Sequence, residues 1–122
     1  MTIDKITLGK RGEDEAEKFL KKLGYKIIER NYRCSFGEVD IIAKDNYTIV
    51  FFEVKTRSND NYGSPKCAVD WRKQKKVMAA GSEYLSRKNL NDTLVRFDVI
   101  SVEAKSGAMV IEHVKDAFEG EG

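Results

Sequence analysis

The alternation of apolar and polar positions divides this chain into a helix, three strands, a second helix and two further strands. Leu8, Gly12, Ala16, Phe19, Leu20 and Leu23 recur at helical spacing, and Gly24 is a natural stop. Tyr25 to Arg33 reads as a strand with a charged edge. Glu38 to Ala43 and Thr48 to Lys55 are rich in β-branched and aromatic residues, as strands are. Lys44-Asp45-Asn46-Tyr47 is the polar turn between them. A hairpin symmetric about Asp45-Asn46 sets Asp40 opposite Phe51 and Glu38 opposite Glu53. Arg57 to Ser64 is polar and reads as a loop, and Ser64-Pro65 reads as a helix cap followed by proline in the first turn. The second helix runs to about Lys88, with Val77, Met78, Gly81, Tyr84 and Leu85 as its inward stripe. Leu94 to Val102 and Ala108 to Val114 are the last strands, turning at Ser106-Gly107. The expectation is one α/β domain over residues 1–118, with 119–122 a frayed tail.

Strand side chains alternate between faces. In the hairpin this puts Val39, Ile41, Ala43, Val50, Phe52 and Val54 on one wholly apolar face. The other face carries Glu38, Asp40, Ile42, Lys44, Ile49, Phe51, Glu53 and Lys55, apolar in the middle and charged at the end far from the turn. Asp40 and Glu53 are diagonal neighbours there, about 6–8 Å apart at Cβ. Carboxylates clustered on a sheet repel one another, and a bound cation is one reason for them to cluster. Two carboxylates and one ammonium are the minimal equipment for metal-assisted phosphodiester hydrolysis: Asp40 and Glu53 hold the ion and Lys55 handles the attacking water. The competing reading is an ordinary surface patch neutralised by Lys55 and nearby arginines.

Composition narrows the choice without deciding it. The 122 residues are 34% charged and 41% hydrophobic, as expected of a soluble globular domain large enough for a core. No apolar run is long enough to span a membrane, and the start has no signal-peptide pattern, so a cytoplasmic location is expected. Cys34 and Cys67 show no CxxC spacing, and the chain has one histidine, which argues against a zinc site. The net charge is only +2, so contact with nucleic acid has to rest on local clusters.

Such a cluster exists in the second helix. Arg72, Lys73, Lys75 and Lys76 form the densest basic run, beside Trp71, and suit phosphate contacts. Lys73 and Gln74 extend the inward stripe back by one turn, which aims them at a site rather than at solvent. A solvated helix face is the alternative. In the first helix Glu13 lies at the edge of the inward stripe and is within reach of the site as a third carboxylate, or else is an exposed helix-favouring residue. His113 reads as structural, Arg96 and Asp98 as a pair on one strand face, and Tyr62 as a weak candidate for stacking a base.

Gly37-Glu38-Val39-Asp40-Ile41-Ile42-Ala43 followed by Phe51-Phe52-Glu53-Val54-Lys55-Thr56-Arg57 resembles the PD-(D/E)xK nuclease superfamily. More narrowly, the whole chain resembles the small bacterial YraN-like family. Gly12-Glu13 with Ala16, Gly24-Tyr25, Arg30-Asn31, Arg96-Phe97-Asp98 and Ala117-Phe118 also fit that pattern. The resemblance implies a restriction-endonuclease-like fold, with a central mixed five-stranded sheet flanked by helices. It implies Mg²⁺, with Mn²⁺ as a substitute, held by Asp40, Glu53 and the Val54 carbonyl, with Lys55 as the signature lysine. Glu13 corresponds to the first-helix acid of the archaeal Holliday-junction resolvases, to which the family is similar. Val39 stands where the motif's name has proline.

The function expected is a metal-dependent endonuclease acting on nucleic acid, DNA before RNA. Similarity to the resolvases favours branched DNA cut by a symmetric homodimer, with no membrane partner. Arg57, Lys73 and Gln74, with Arg72 and Lys76 from the basic run, are expected to hold the phosphate backbone. The alternatives are a non-catalytic nucleic-acid-binding module and a nuclease subunit that needs a partner.

Overall fold

The architecture is that of a computed structural model describing residues 5–57 and 70–118. The Ser64-Pro65 cap, Tyr62, Cys67 and the tail at 119–122 lie outside the described residues. The elements are α1 (Lys5–Lys22), β1 (Lys26–Cys34), β2 (Gly37–Asp45), β3 (Thr48–Arg57), α2 (Trp71–Arg87), β4 (Leu94–Lys105) and β5 (Ala108–Val114). The sheet order is β1-β2-β3-β4-β5. All neighbours are antiparallel except β3 and β4, which are parallel. The fold is restriction-endonuclease-like, a mixed five-stranded sheet between two helices.

Each face of the sheet has its own core. On one side Ala16 and Leu20 of α1 pack with Ile41, Ala43, Val50, Phe52, Val54, Ile100 and Val102. On the other, Val77, Ala80 and Tyr84 of α2 pack with Ile42, Ile49, Phe51 and Val99. β3 is buried on both sides because it lies at the centre, which is why its apolar run is nearly continuous. Helix α1 ends at Gly24, whose φ is 96°, and the Tyr25 N–H returns to the Leu20 carbonyl at 3.0 Å. That reversal turns Leu23 outward, so the last residue of the expected stripe is exposed. Helix α2 is capped by Asp70, which accepts from the Lys73 N–H at 2.9 Å.

The hairpin register differs from the symmetric expectation. Asp45 pairs with Thr48 and Ile41 with Phe52, so the turn is centred on Asn46 and Tyr47. Asn46 takes the positive φ of 56° that a tight two-residue turn requires. The shift of two residues preserves the alternation, and every side chain of β3 stays on its expected face. Val39 does not. It packs with Tyr32 and Ile42 on the α2 side, not with Ile41 and Ala43. The alternation slips at Asp40. Across from Asp40, between the pairs Arg30–Ile41 and Tyr32–Val39, lies Asn31 with a φ of 54°. Asparagine tolerates this left-handed conformation better than other side chains with a Cβ.

Two glycines set the helix distances. A Cβ on Gly12 would lie 2.0 Å from Thr56 Oγ1, so α1 rests directly on β3 there. A Cβ on Gly37 would lie 2.7 Å from the Lys76 carbonyl oxygen, so the start of β2 abuts the backbone of α2.

One buried polar cluster ties the turn end of the sheet together. Asp98 is fully buried and accepts from Arg96 Nε at 2.9 Å and the Asp116 N–H at 3.0 Å, with His113 Nε2 at 2.7 Å. Burial alone would raise the Asp98 pKa, but His113, Arg96 and the Asp116 N–H hold it below the ordinary value of 3.8. Arg96 also donates to the Tyr25 hydroxyl at 2.7 Å. His113 is structural, as expected. Asp98→Ala leaves the Arg96 charge half-buried without its main partner and is expected to lower stability by about 3–5 kcal/mol, read as a fall in the urea midpoint. Because the pKa of Asp98 is depressed, this contribution is present above pH 3.8 and fades as pH falls through the folded value. Wild type and variant therefore converge in strong acid.

Candidate active site

The ladder between β2 and β3 stops at Ile41 and Phe52. One step beyond, the same register brings Asp40 opposite Glu53, closer than the diagonal expected from sequence. The strands no longer exchange backbone hydrogen bonds there. Instead the Val54 N–H donates to Asp40 Oδ2 at 2.8 Å. The side chain of Asp40 thus takes the place of a backbone acceptor, and the sheet forks around the two acids.

Glu53 is only 4% exposed. Its Oε2 is buried and has no hydrogen-bond partner among the described residues. Burial first, then the negative charge of Asp40, pushes its pKa up to about 8, against the pull of Lys73 and Lys55. The Asp40 pKa is also raised, chiefly by burial and further by the charges of Glu13 and Glu38. The Val54 N–H and Lys73 oppose that rise. Two carboxyl groups facing each other in a dry fork hold at least one proton near neutrality.

Lys55, Glu13 and Lys73 lie within electrostatic range of this pair. Lys55 is half-buried on the face of Glu53, paired in register with Ser101. Glu13 sits on α1, bound by Arg30 Nη2 at 3.2 Å, near enough for its charge to act on Asp40. Arg30 also pairs with Asp14 at 2.8 Å and so fastens this turn of α1 to β1. Lys73 does reach the site: its Nζ lies 3.9 Å from Glu53 Oε1 and 3.8 Å from Glu38 Oε1. Gln74 is half-buried in the same turn of α2, its N–H bonded to the Asp70 carbonyl at 2.9 Å.

Two expected backbone contacts are placed elsewhere. Arg57 is 9% exposed and donates to Ser101 Oγ at 3.1 Å and Glu103 Oε1 at 3.0 Å, which joins β3 to β4. Arg72 lies 5.7 Å from the centre of the Trp71 ring, on the exposed flank of α2, with Lys75 4.7 Å from the same ring. Lys76 instead lines a cleft of about 300 Å³ with Arg33, Cys34, Gly37, Glu38 and Lys73, beside the acid pair. Sequence reasoning missed Arg33 and Asn31. Arg33 stood only as the charged edge of a strand, and no alternation pattern reports a left-handed residue.

The donor set suits a hard cation. It comprises two carboxylates that repel in its absence, one of them with a buried oxygen lacking a partner. Among the described residues no three His, Cys, Asp or Glu side chains converge as a ready ligand cage. No described helix is long and apolar enough to cross a membrane.

Known proteins resemble this chain over nearly its whole length. A relative from Syntrophus aciditrophicus is 50% identical over 114 residues, covering 93% of this chain and 90% of its own. One from Geobacter sulfurreducens is 50% identical over 113 residues, covering 92% and 88%. One from Caldicellulosiruptor saccharolyticus is 42% identical over 118 residues, covering 95% and 100%. All three carry the name UPF0102 protein. The model of the family described as "Uncharacterised protein family UPF0102" matches residues 12–102, a span that contains Glu13, Asp40, Glu53, Lys55 and Lys73. The chain belongs to the UPF0102 family, also called the YraN family.

Proposed function

We propose that this protein is a metal-dependent nuclease that hydrolyses phosphodiester bonds in DNA, with branched DNA as the favoured shape. The observation that carries this reading is the facing pair of Asp40 and Glu53 at the fork in the sheet, where one buried carboxylate oxygen has no partner. Asp40, Glu53 and the Val54 carbonyl are the groups that would hold Mg²⁺, or Mn²⁺ in its place. Such an ion, when bound, polarises a phosphoryl oxygen and makes water more acidic. Lys55 orients the attacking water and offsets the charge that develops on phosphorus. Glu13, held by Arg30, adds negative charge at the edge of the site. Lys73, Gln74 and Lys76 position the backbone along α2. The second reading is a non-catalytic nucleic-acid-binding module, favoured by the lack of a third converging acid among the described residues.

Incubation with Mg²⁺ or Mn²⁺ and labelled single-stranded, duplex, flap and four-way-junction DNA, with RNA alongside, separates the two. Asp40→Ala and Glu53→Ala are each expected to reduce cleavage by more than the roughly 10–100-fold seen for outer-shell partners, with circular dichroism unchanged. Lys55→Ala is expected to lose about 10²–10⁴-fold while still binding the ion. Equal cleavage by wild type and both acid variants would remove the assignment. Binding without turnover on any substrate would favour the module.

The raised pKa of Glu53 has a consequence for stability. An unfolded glutamate ionises near 4.5, and folded Glu53 near 8. The folded state therefore keeps a proton that the unfolded chain has lost, so stability falls as pH rises from about 4.5 to about 8. In chelator, Glu53→Gln is expected to melt higher than wild type at pH 8 and above, with the difference vanishing below pH 4.5. Mn²⁺ should close the gap by stabilising wild type alone, with release of roughly one proton per ion at neutral pH. Calorimetry in buffers of different ionisation enthalpy reads that proton. A variant no more stable than wild type at pH 8 would show that Glu53 is not strained.

A further inference from the structure

Lys73 is shared between two acids and seated on neither. Its distances to Glu53 and Glu38, 3.9 Å and 3.8 Å, exceed hydrogen-bond reach. Glu53 Oε2 is left without a partner even with the ammonium in place. Lys73 thus offsets the charge of the acid pair without satisfying its hydrogen bonds. A divalent ion taken up by Asp40 and Glu53 neutralises the charge that attracts Lys73. Two cations on one buried carboxylate also repel strongly where water is scarce. The ammonium rides on a flexible four-carbon stem. Beside it opens the cleft of about 300 Å³ that Lys73 already helps to line, with Lys76 on the next turn of α2. Arg33 Nε holds Glu38 at 3.2 Å on the opposite wall, so that acid keeps a partner when Lys73 leaves.

We infer that cation binding releases Lys73 from Glu53 into this cleft, where Lys73 and Lys76 together seat a backbone phosphate of the DNA strand being cut. The inference rests on the acid pair being a divalent-cation site. It makes Lys73 a positioning residue whose two placements couple ion binding to DNA binding. Each ligand then tightens the other by the same factor.

The test is the salt dependence of binding of a fluorescent duplex, measured with and without a fixed concentration of Ca²⁺. In wild type Ca²⁺ is expected to steepen the salt slope by about one phosphate contact. In Lys73→Met that increment should vanish, while Lys76→Met should lower the slope by about one in both conditions. Calorimetry of Ca²⁺ alone, on wild type and Glu53→Gln, runs in parallel. Ion binding with no change of slope in wild type, or with the same change in Lys73→Met, overturns the release of Lys73 and leaves the cation site standing. An absence of Glu53-dependent ion binding overturns both. Lys73→Arg, which keeps the charge on a longer and stiffer head, should retain part of the increment, whereas a purely structural role for Lys73 would leave all three slopes alike.

Discussion

Two carboxyl groups facing each other where a sheet forks are a standing electrostatic strain, and the surroundings of the site are arranged to bear it. Burial alone would drive both acids to the neutral form. The structure answers with one backbone N–H on Asp40 and the ammonium groups of Lys73 and Lys55 within electrostatic range of Glu53. A site built only for stability would have gained a closer partner or an apolar substitution. The protein instead retains a strained pair beside an open cleft, as expected where binding or chemistry sets the requirement.

Backbone features deliver this arrangement. Asn31 takes a left-handed conformation opposite Asp40, Val39 lies on the α2 face, and Asp40 accepts from the Val54 N–H. Gly12 lets α1 touch β3, so that Glu13, the next residue, comes within electrostatic range. Gly37 lets the start of β2 meet the carbonyl of Lys76, so that the end of β1 and the start of β2 form one wall of the cleft and α2 the other. The residues that look least chemical in the sequence therefore hold the chemical ones in register.

The core of the site was legible because strand alternation has a period of two. The expected turn was misplaced by one residue, which shifts the pairing by two, and Asp40, Glu53 and Lys55 still fell together, since an even slip preserves the face. The inward stripe of α2 pointed to Lys73, whose Nζ lies 3.9 Å from Glu53 Oε1, because helical phase carries over one turn. Arg57 was not legible in the same way. Its partners Ser101 and Glu103 belong to β4, 44 and 46 residues away, and parallel pairing leaves no local trace of register. The left-handed conformation of Asn31 and the face change at Val39 were hidden too, because polarity patterns do not report a positive φ.

The separation along the chain between the parts of the site also sets an order of assembly. Asp40 and Val54 are 14 residues apart and are joined by a two-residue hairpin turn, a contact that forms early because little loop entropy opposes it. Lys73 arrives only with α2, and β4 only after that helix has been passed. The nascent hairpin therefore brings its two acids together before the lysine on α2 can moderate them. During that interval Lys55, two residues from Glu53 on the same strand, is the counter-charge at hand, and the burial that raises both acids' pKa values is complete only when the helices close over the sheet.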